Sequence, residues 1–142
     1  MVHIEKNICD NILETIMNIK GKSKDTIKIR LDLEKMRLRS DLHLLKDEDK
    51  LKMSPTPYIL SLPAKQIFCQ FLKELKVPDG FSSNISFCVN MKEIKISCLK
   101  SHDCHVILKH LLPLTLCGLL ATPAREALIE LSMFFDILVL KN

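Results

Sequence analysis

The densest group of side chains able to do chemistry is S-H-D-C-H-V-I-L-K-H, residues 101–110. It holds His102, Asp103, Cys104, His105 and His110, three of the five histidines in the chain. Neutral imidazole and thiolate are the ordinary ligands of zinc. On an α-helix His102 and His105 stand about 60° apart around the axis, so both can reach one ion. His105 and His110 stand about 140° apart and share a metal only where a frayed end or a local bulge turns them to one face. Two or three such ligands leave a tetrahedral structural site incomplete. The plainer reading is that His102 and Asp103 cap a helix start while His110 is partly exposed, and spacing alone favours it.

A second candidate is Glu130, one helical turn after Glu126 in a segment otherwise rich in Ala, Leu, Ile and Phe. Held against a core, its carboxylate would need a partner or a metal. On the polar edge of an amphipathic helix it needs neither, and the pattern favours the edge. The chain has no G-x-S-x-G, no phosphate-binding glycine loop, no H-E-x-x-H and no C-x-x-C, the motifs that would announce a self-sufficient enzyme. An independent hydrolase or nuclease is therefore the poorest reading.

The elements that must position these residues are helices. Ile4, Ile8, Ile12, Ile16 and Ile19 predict an amphipathic helix over residues 3–19, stopped at Gly21. Ser23 is an N-cap candidate for a second helix to about Arg37, with Asp25 at its positive end and Ile27, Leu31, Leu38 and Leu42 on its apolar side. Ser61 and Pro63 open a third, with Ile67, Phe68, Phe71, Leu72 and Leu75 as its buried face, closed by a Pro78-Asp79-Gly80 turn. Alternation at Ile85, Phe87 and Val89, and at Ile94 and Ile96, leaves short strands or irregular helix open for residues 85–97. Helical spacing returns at about Lys100–Leu112, and Pro123 opens a last helix to about Leu138.

The expected fold class is all-α, with several short helices joined by loops and short extended segments around 85–97. Residues 1–44 read as an N-terminal helical pair, 45–57 (LKDEDKLKMSPTP) as a polar, proline-broken linker, and 58–142 as a helical segment carrying the histidine cluster. Together they read as one incomplete domain of a larger protein.

Composition agrees with this class. The chain has 142 residues, 47% hydrophobic and 27% charged, with three glycines, no tryptophan and one tyrosine, too ordered a mixture for disorder and poor material for a strand-and-turn protein. A net charge of +4 is mild, and the basic stretch Lys20–Arg39 is interleaved with Asp25, Asp32 and Glu34, so it reads as a solvated face before it reads as a DNA contact. Six cysteines at irregular spacing, with no secretory leader, read as free thiols in a reducing compartment. The apolar run 111–121 is too short to span a bilayer and contains Pro113 and Gly118, so no membrane partner is expected. No small-molecule substrate is evident.

Five separated blocks share a likeness. H-I-E-K-N-I-C-D-N (3–11), N-I-K-G-K-S-K-D (18–25) with R-L-D-L (30–33), P-D-G-F-S-S-N-I-S (78–86), L-K-S-H-D-C-H-V-I-L-K-H-L-L-P (99–113) and A-L-I-E-L-x-x-F-F (127–135) resemble, in the family's order, the transposases of plant CACTA (En/Spm-like) DNA transposons. The region resembled is the domain of unknown function that follows the transposase core. That resemblance implies a cut-and-paste transposase with an RNase H-like core, where three carboxylates hold two divalent cations, usually Mg²⁺. It also implies a helical insertion with a zinc site, of which His105 and His110 match the second half, with His102 or Cys104 as weaker ligands. Glu130 would then be the remnant of the third core acid. The first two acids would precede residue 1, and no C-x-x-C completes the zinc set. The resemblance therefore predicts a truncated fragment that performs no strand cleavage alone, with Mg²⁺ only in the full-length enzyme. Its partners would be full-length transposase or transposon DNA, and its location the nucleus. The alternative is a stand-alone helical interaction module with no metal and no catalysis.

Overall fold

The computed structural model describes residues 2–54, 56, 58–76 and 84–141, without the side chains of residues 2, 117 and 136–141. The Pro78-Asp79-Gly80 turn lies outside the described residues. The fold is mostly helical, with two small two-stranded sheets. Helix α1 runs Val2–Ile16, α2 Ile27–Lys35, α3 Leu62–Glu74, α4 Ser101–Val106, α5 Leu112–Thr115 and α6 Thr122–Lys141. Strands β1 (Leu45–Asp47) and β2 (Lys50–Lys52) pair antiparallel, as do β3 (Val89–Asn90) and β4 (Lys95–Ile96). Short extended segments therefore do occur within 85–97, after a 3₁₀ turn at Ile85–Cys88.

Helix α1 is amphipathic, but its buried stripe is rotated one position from the isoleucine stripe. Glu5, Cys9, Leu13, Ile16 and Met17 are buried, Ile8 and Ile12 are half-buried, and Ile4 is 55% exposed. Asn18 then adopts the left-handed conformation at φ 51°, followed by Gly21 at φ 80°, and the helix cannot continue. Helix α2 starts later than Ser23 predicts. Thr26 is its N-cap, with Oγ1 accepting the Ile29 N–H at 3.2 Å, while Ser23 Oγ accepts the Asp25 N–H in the preceding turn. The apolar side expected for α2 is mostly solvent-facing, and its buried residue is Arg30, 0% exposed. The guanidinium donates to both Asp25 carboxylate oxygens, 2.8 and 2.7 Å, and to Ser54 Oγ, 3.1 Å.

The 45–57 stretch carries the β1–β2 hairpin, exposed along both strands. The helical pair of residues 1–44 is divided by the packing: α1 lies against α4, and its buried residues belong to the same core as residues 60–135. Helix α3 begins at Ser61, whose Oγ accepts the Ala64 N–H at 3.3 Å. Its buried face is Ala64, Phe68, Cys69 and Leu72, whereas Ile67 and Phe71, expected inside, are exposed. Lys73 closes it against the next segment, its ammonium donating to the Ser86 and Val89 carbonyls.

Between α4 and α5 the chain forms one π-helical segment, Ile107–Leu111, in which the Leu112 N–H reaches the Ile107 carbonyl. Pro113 supplies a cause. In an uninterrupted α-helix residue 113 would donate to the Lys109 carbonyl, and proline has no N–H. Ser132 of α6 fills the gap, its hydroxyl donating to Lys109 O at 3.0 Å. Ile107, Leu108, Leu111 and Leu112 are buried there, so the widened turn sits in the core and α6 packs on it.

Candidate functional site

The seam between α1 and α4 gathers most of the residues that could do chemistry. Asp103, 2% exposed, is the third residue of α4. Its Oδ2 accepts the Lys100 N–H at 3.0 Å and its Oδ1 the Asn84 N–H at 3.2 Å. It therefore caps the helix start, as the plainer sequence reading expects, and also fastens the segment before β3 to that helix. His102 lies beside it, exposed.

His105 is half-buried and turned toward α1. Its Nδ1–H donates to Oε2 of Glu5, 2.5 Å away and 100 positions earlier in sequence. Glu5 is only 5% exposed, so this imidazole is its compensation for burial. Holding Nδ1 in this way leaves Nε2 as the atom available to a ligand. Sequence reasoning missed Glu5, because an acidic residue near a helix N-terminus is already explained by the helix dipole.

Cys104 of α4 and Cys9 of α1 are both 0% exposed. The neighbouring Cys104 thiol, together with burial, pushes the Cys9 thiol well above the usual range, and Cys9 in turn draws Cys104 down. Cys104 Sγ also lies 4.0 Å from Asp10 Oδ1. Asp10 receives the Lys6 ammonium at 3.0 Å, and Lys6 reaches on to the Leu99 carbonyl at 3.1 Å. That carboxylate raises the Lys6 pKa.

His110 sits within the π-helical segment and is exposed. A π turn closes i→i+5, the kind of local bulge that a shared His105–His110 ion requires. Glu130 is exposed on α6, one turn from exposed Glu126. It is thus on the polar edge of its helix. Among the described residues no three His, Cys, Asp or Glu side chains form a group placed to hold a metal ion. Imidazole and thiolate are donors of the kind zinc takes, and His105 Nε2 would be the ligating atom. Among the described residues the carboxylates do not assemble into the acid set that Mg²⁺ chemistry needs, and no strand-cleavage step is derived from them. Among the described residues no helix is long and apolar enough to cross a membrane.

No family model matches the chain, and no curated protein or solved structure matches it either.

Proposed function

We propose that the chain is a fragment of a CACTA-type transposase, inactive in strand cleavage by itself, which acts in the nucleus by associating with full-length transposase or with transposon DNA. One observation supports this reading above the others. Two widely separated blocks of the resemblance, residues 3–11 and 99–113, meet as α1 on α4, and the Glu5–His105 contact lies at their junction. Residues shared with a family for a structural or binding purpose are expected to meet in this way.

Co-purification with a full-length CACTA transposase, alongside a Mg²⁺-dependent nicking assay on element-end DNA, tests the proposal. Association with the transposase or the DNA, without cleavage by the chain alone, is the expected result. Cleavage by the chain alone overturns it. The zinc proposal for His105 and His110, with His102 or Cys104 assisting, has its own measurement. Near-stoichiometric zinc by mass spectrometry, lost in both His105→Ala and His110→Ala, supports it, whereas a folded, zinc-free chain removes zinc from the reading.

A stand-alone helical interaction module is the second reading. A groove of about 460 Å³ favours it, lined by Ile12 and Ile16 of α1, by Leu120, and by Ala124 and Leu128 of α6. Such apolar concavities are where partner helices or peptides dock. Binding to neither transposase nor element DNA would leave this reading in place.

A further inference from the structure

The 460 Å³ groove is walled by rows of side chains from two helices. Ile12 and Ile16 stand one turn apart on α1, and Ala124 and Leu128 one turn apart on α6. Rows at i and i+4 are the ridges between which another helix seats its own side chains. Ile12, Ala124 and Leu128 are only half-buried, so the walls are apolar and still accessible. Ala127, also in the lining, is exposed and too short to hold a partner's backbone away.

Two exposed cations, Lys24 and Arg39, complete the lining, and among the described residues no carboxylate does. The backbone brings both of them there. The Lys24 N–H donates to Thr15 Oγ1 at 3.1 Å, and Thr15 itself lines the groove, so the turn after α1 is pinned to its wall. Arg39 takes the left-handed conformation at φ 47°, where the chain enters the 3₁₀ turn Ser40–Leu42. Asp25, the acid next to Lys24 in sequence, has both oxygens taken by Arg30. Arg39 does pair with Asp41, but both side chains are exposed, and a second carboxylate competes there at little cost. The cations belong to the most basic part of the chain. Residues 18–39 hold eight Lys and Arg against three Asp and Glu, whereas the other residues hold thirteen against fourteen. With Arg30 buried on Asp25, the seven remaining cations of that segment are all exposed.

We propose that this groove docks an acidic amphipathic helix of a partner protein. Its apolar stripe seats between the Ile12–Ile16 and Ala124–Leu128 rows, and its carboxylates meet Lys24 and Arg39. Charge complementarity selects this occupant. A basic helix would be repelled by the rim. Duplex DNA, held through its phosphates, would meet the basic segment but leave the apolar walls unfilled. A helix with leucines on one face and glutamates beside them satisfies both surfaces at once. The proposal deepens the interaction-module reading and rests on it, and what it adds is the partner's sign and pattern.

Three labelled synthetic peptides test it, each titrated with the whole chain and followed by fluorescence anisotropy. All carry leucines at i, i+3, i+4 and i+7; one flanks them with glutamates, one with glutamines and one with lysines. The glutamate peptide is expected to bind most tightly and the lysine peptide least, the difference closing as salt is raised. Lys24→Glu should weaken the glutamate peptide severalfold and strengthen the lysine peptide, an exchange of preference that misfolding cannot produce. Ala127→Trp, at an exposed position, should fill the groove and abolish binding of the glutamate peptide. Equal affinity for all three peptides, or a glutamate peptide indifferent to both substitutions, overturns the proposal. If the glutamine or lysine peptide binds best and is lost in Ala127→Trp, the proposal falls and the interaction-module reading stands. If none of the three binds, both fall. A duplex DNA that binds and is lost in Lys24→Glu, with no peptide bound, gives this face to nucleic acid and overturns the proposal as well.

Discussion

Arg30 is the residue whose environment contradicts its type most sharply. A guanidinium at 0% exposure is tolerable only because Asp25 takes two of its N–H groups and Ser54 a third. The same contact draws the Asp25 pKa below its ordinary 3.8, with a smaller part from a hydrogen bond to Tyr58. A carboxylate with a depressed folded-state pKa stabilises fully above its ordinary value and loses that contribution as pH falls through the lower folded one. Urea unfolding midpoints should therefore hold steady from neutrality to about pH 4 and fall below it through this pair. Asp25→Ala leaves a buried guanidinium without its anion, and should cost about 3–5 kcal/mol at pH 7 while flattening this part of the acid profile. An unchanged acid profile in the variant would mean that the pair contributes nothing to acid sensitivity. None of this was legible in the sequence, where Arg30 sits in a run of lysines and arginines that reads as solvated. Burial of a charge is decided by a partner elsewhere in the chain, and periodicity is blind to it. Asp103 was legible, because helix capping is local and a carboxylate three residues into a helix has few other uses.

At the scale of elements, capping and packing divide the labour. Starts were readable where a short polar side chain meets a proline, as at Ser61, and misplaced where two hydroxyl residues compete, as with Ser23 and Thr26. The rotated stripe of α1 has a similar cause. Isoleucines every fourth position and the Glu5–Cys9–Leu13 row are parallel ridges one residue apart, and hydrophobicity alone favours the wrong one. What turns the helix is a charged residue with a partner on α4, which only the tertiary fold supplies. The start of α4 carries an element-scale prediction. Asp103 satisfies Lys100 N–H and Asn84 N–H at once, so it holds both the helix start and the approach to the β3–β4 hairpin. Asp103→Ala should destabilise the chain by about 1–3 kcal/mol, the range for buried donors left unsatisfied. Amide exchange should accelerate at residues 84 and 100 first. Uniform acceleration across α6 as well would show a global effect in place of a local cap.

For the whole molecule, the question is which segments make one cooperative unit. The sequence reads as a helical pair over residues 1–44 ahead of a linker, within one incomplete domain. Packing gives the two helices different roles. Helix α1 places Cys9, Leu13, Ile16 and Met17 in the core shared with α3, α4, the π-helical segment and α6, while α2 buries little beyond Arg30. The Leu60 N–H donates to the Ile16 carbonyl at 2.9 Å, so the end of α1 also fixes the chain entering α3. Burying side chains of this size is worth about 1.5–3 kcal/mol each, and four of them compare with the whole stability of a typical domain. A chain shortened to residues 45–142 should therefore lose its cooperative thermal transition and expose Cys104 to alkylation. Removal of the β1–β2 hairpin by a short Gly-Ser link, by contrast, takes away strands with no buried residue and should move stability by less than about 0.5 kcal/mol. Circular dichroism melts of the two shortened chains side by side decide the matter. A cooperative transition retained in 45–142 would make α1 an appendage, and would place the core in the C-terminal segment alone.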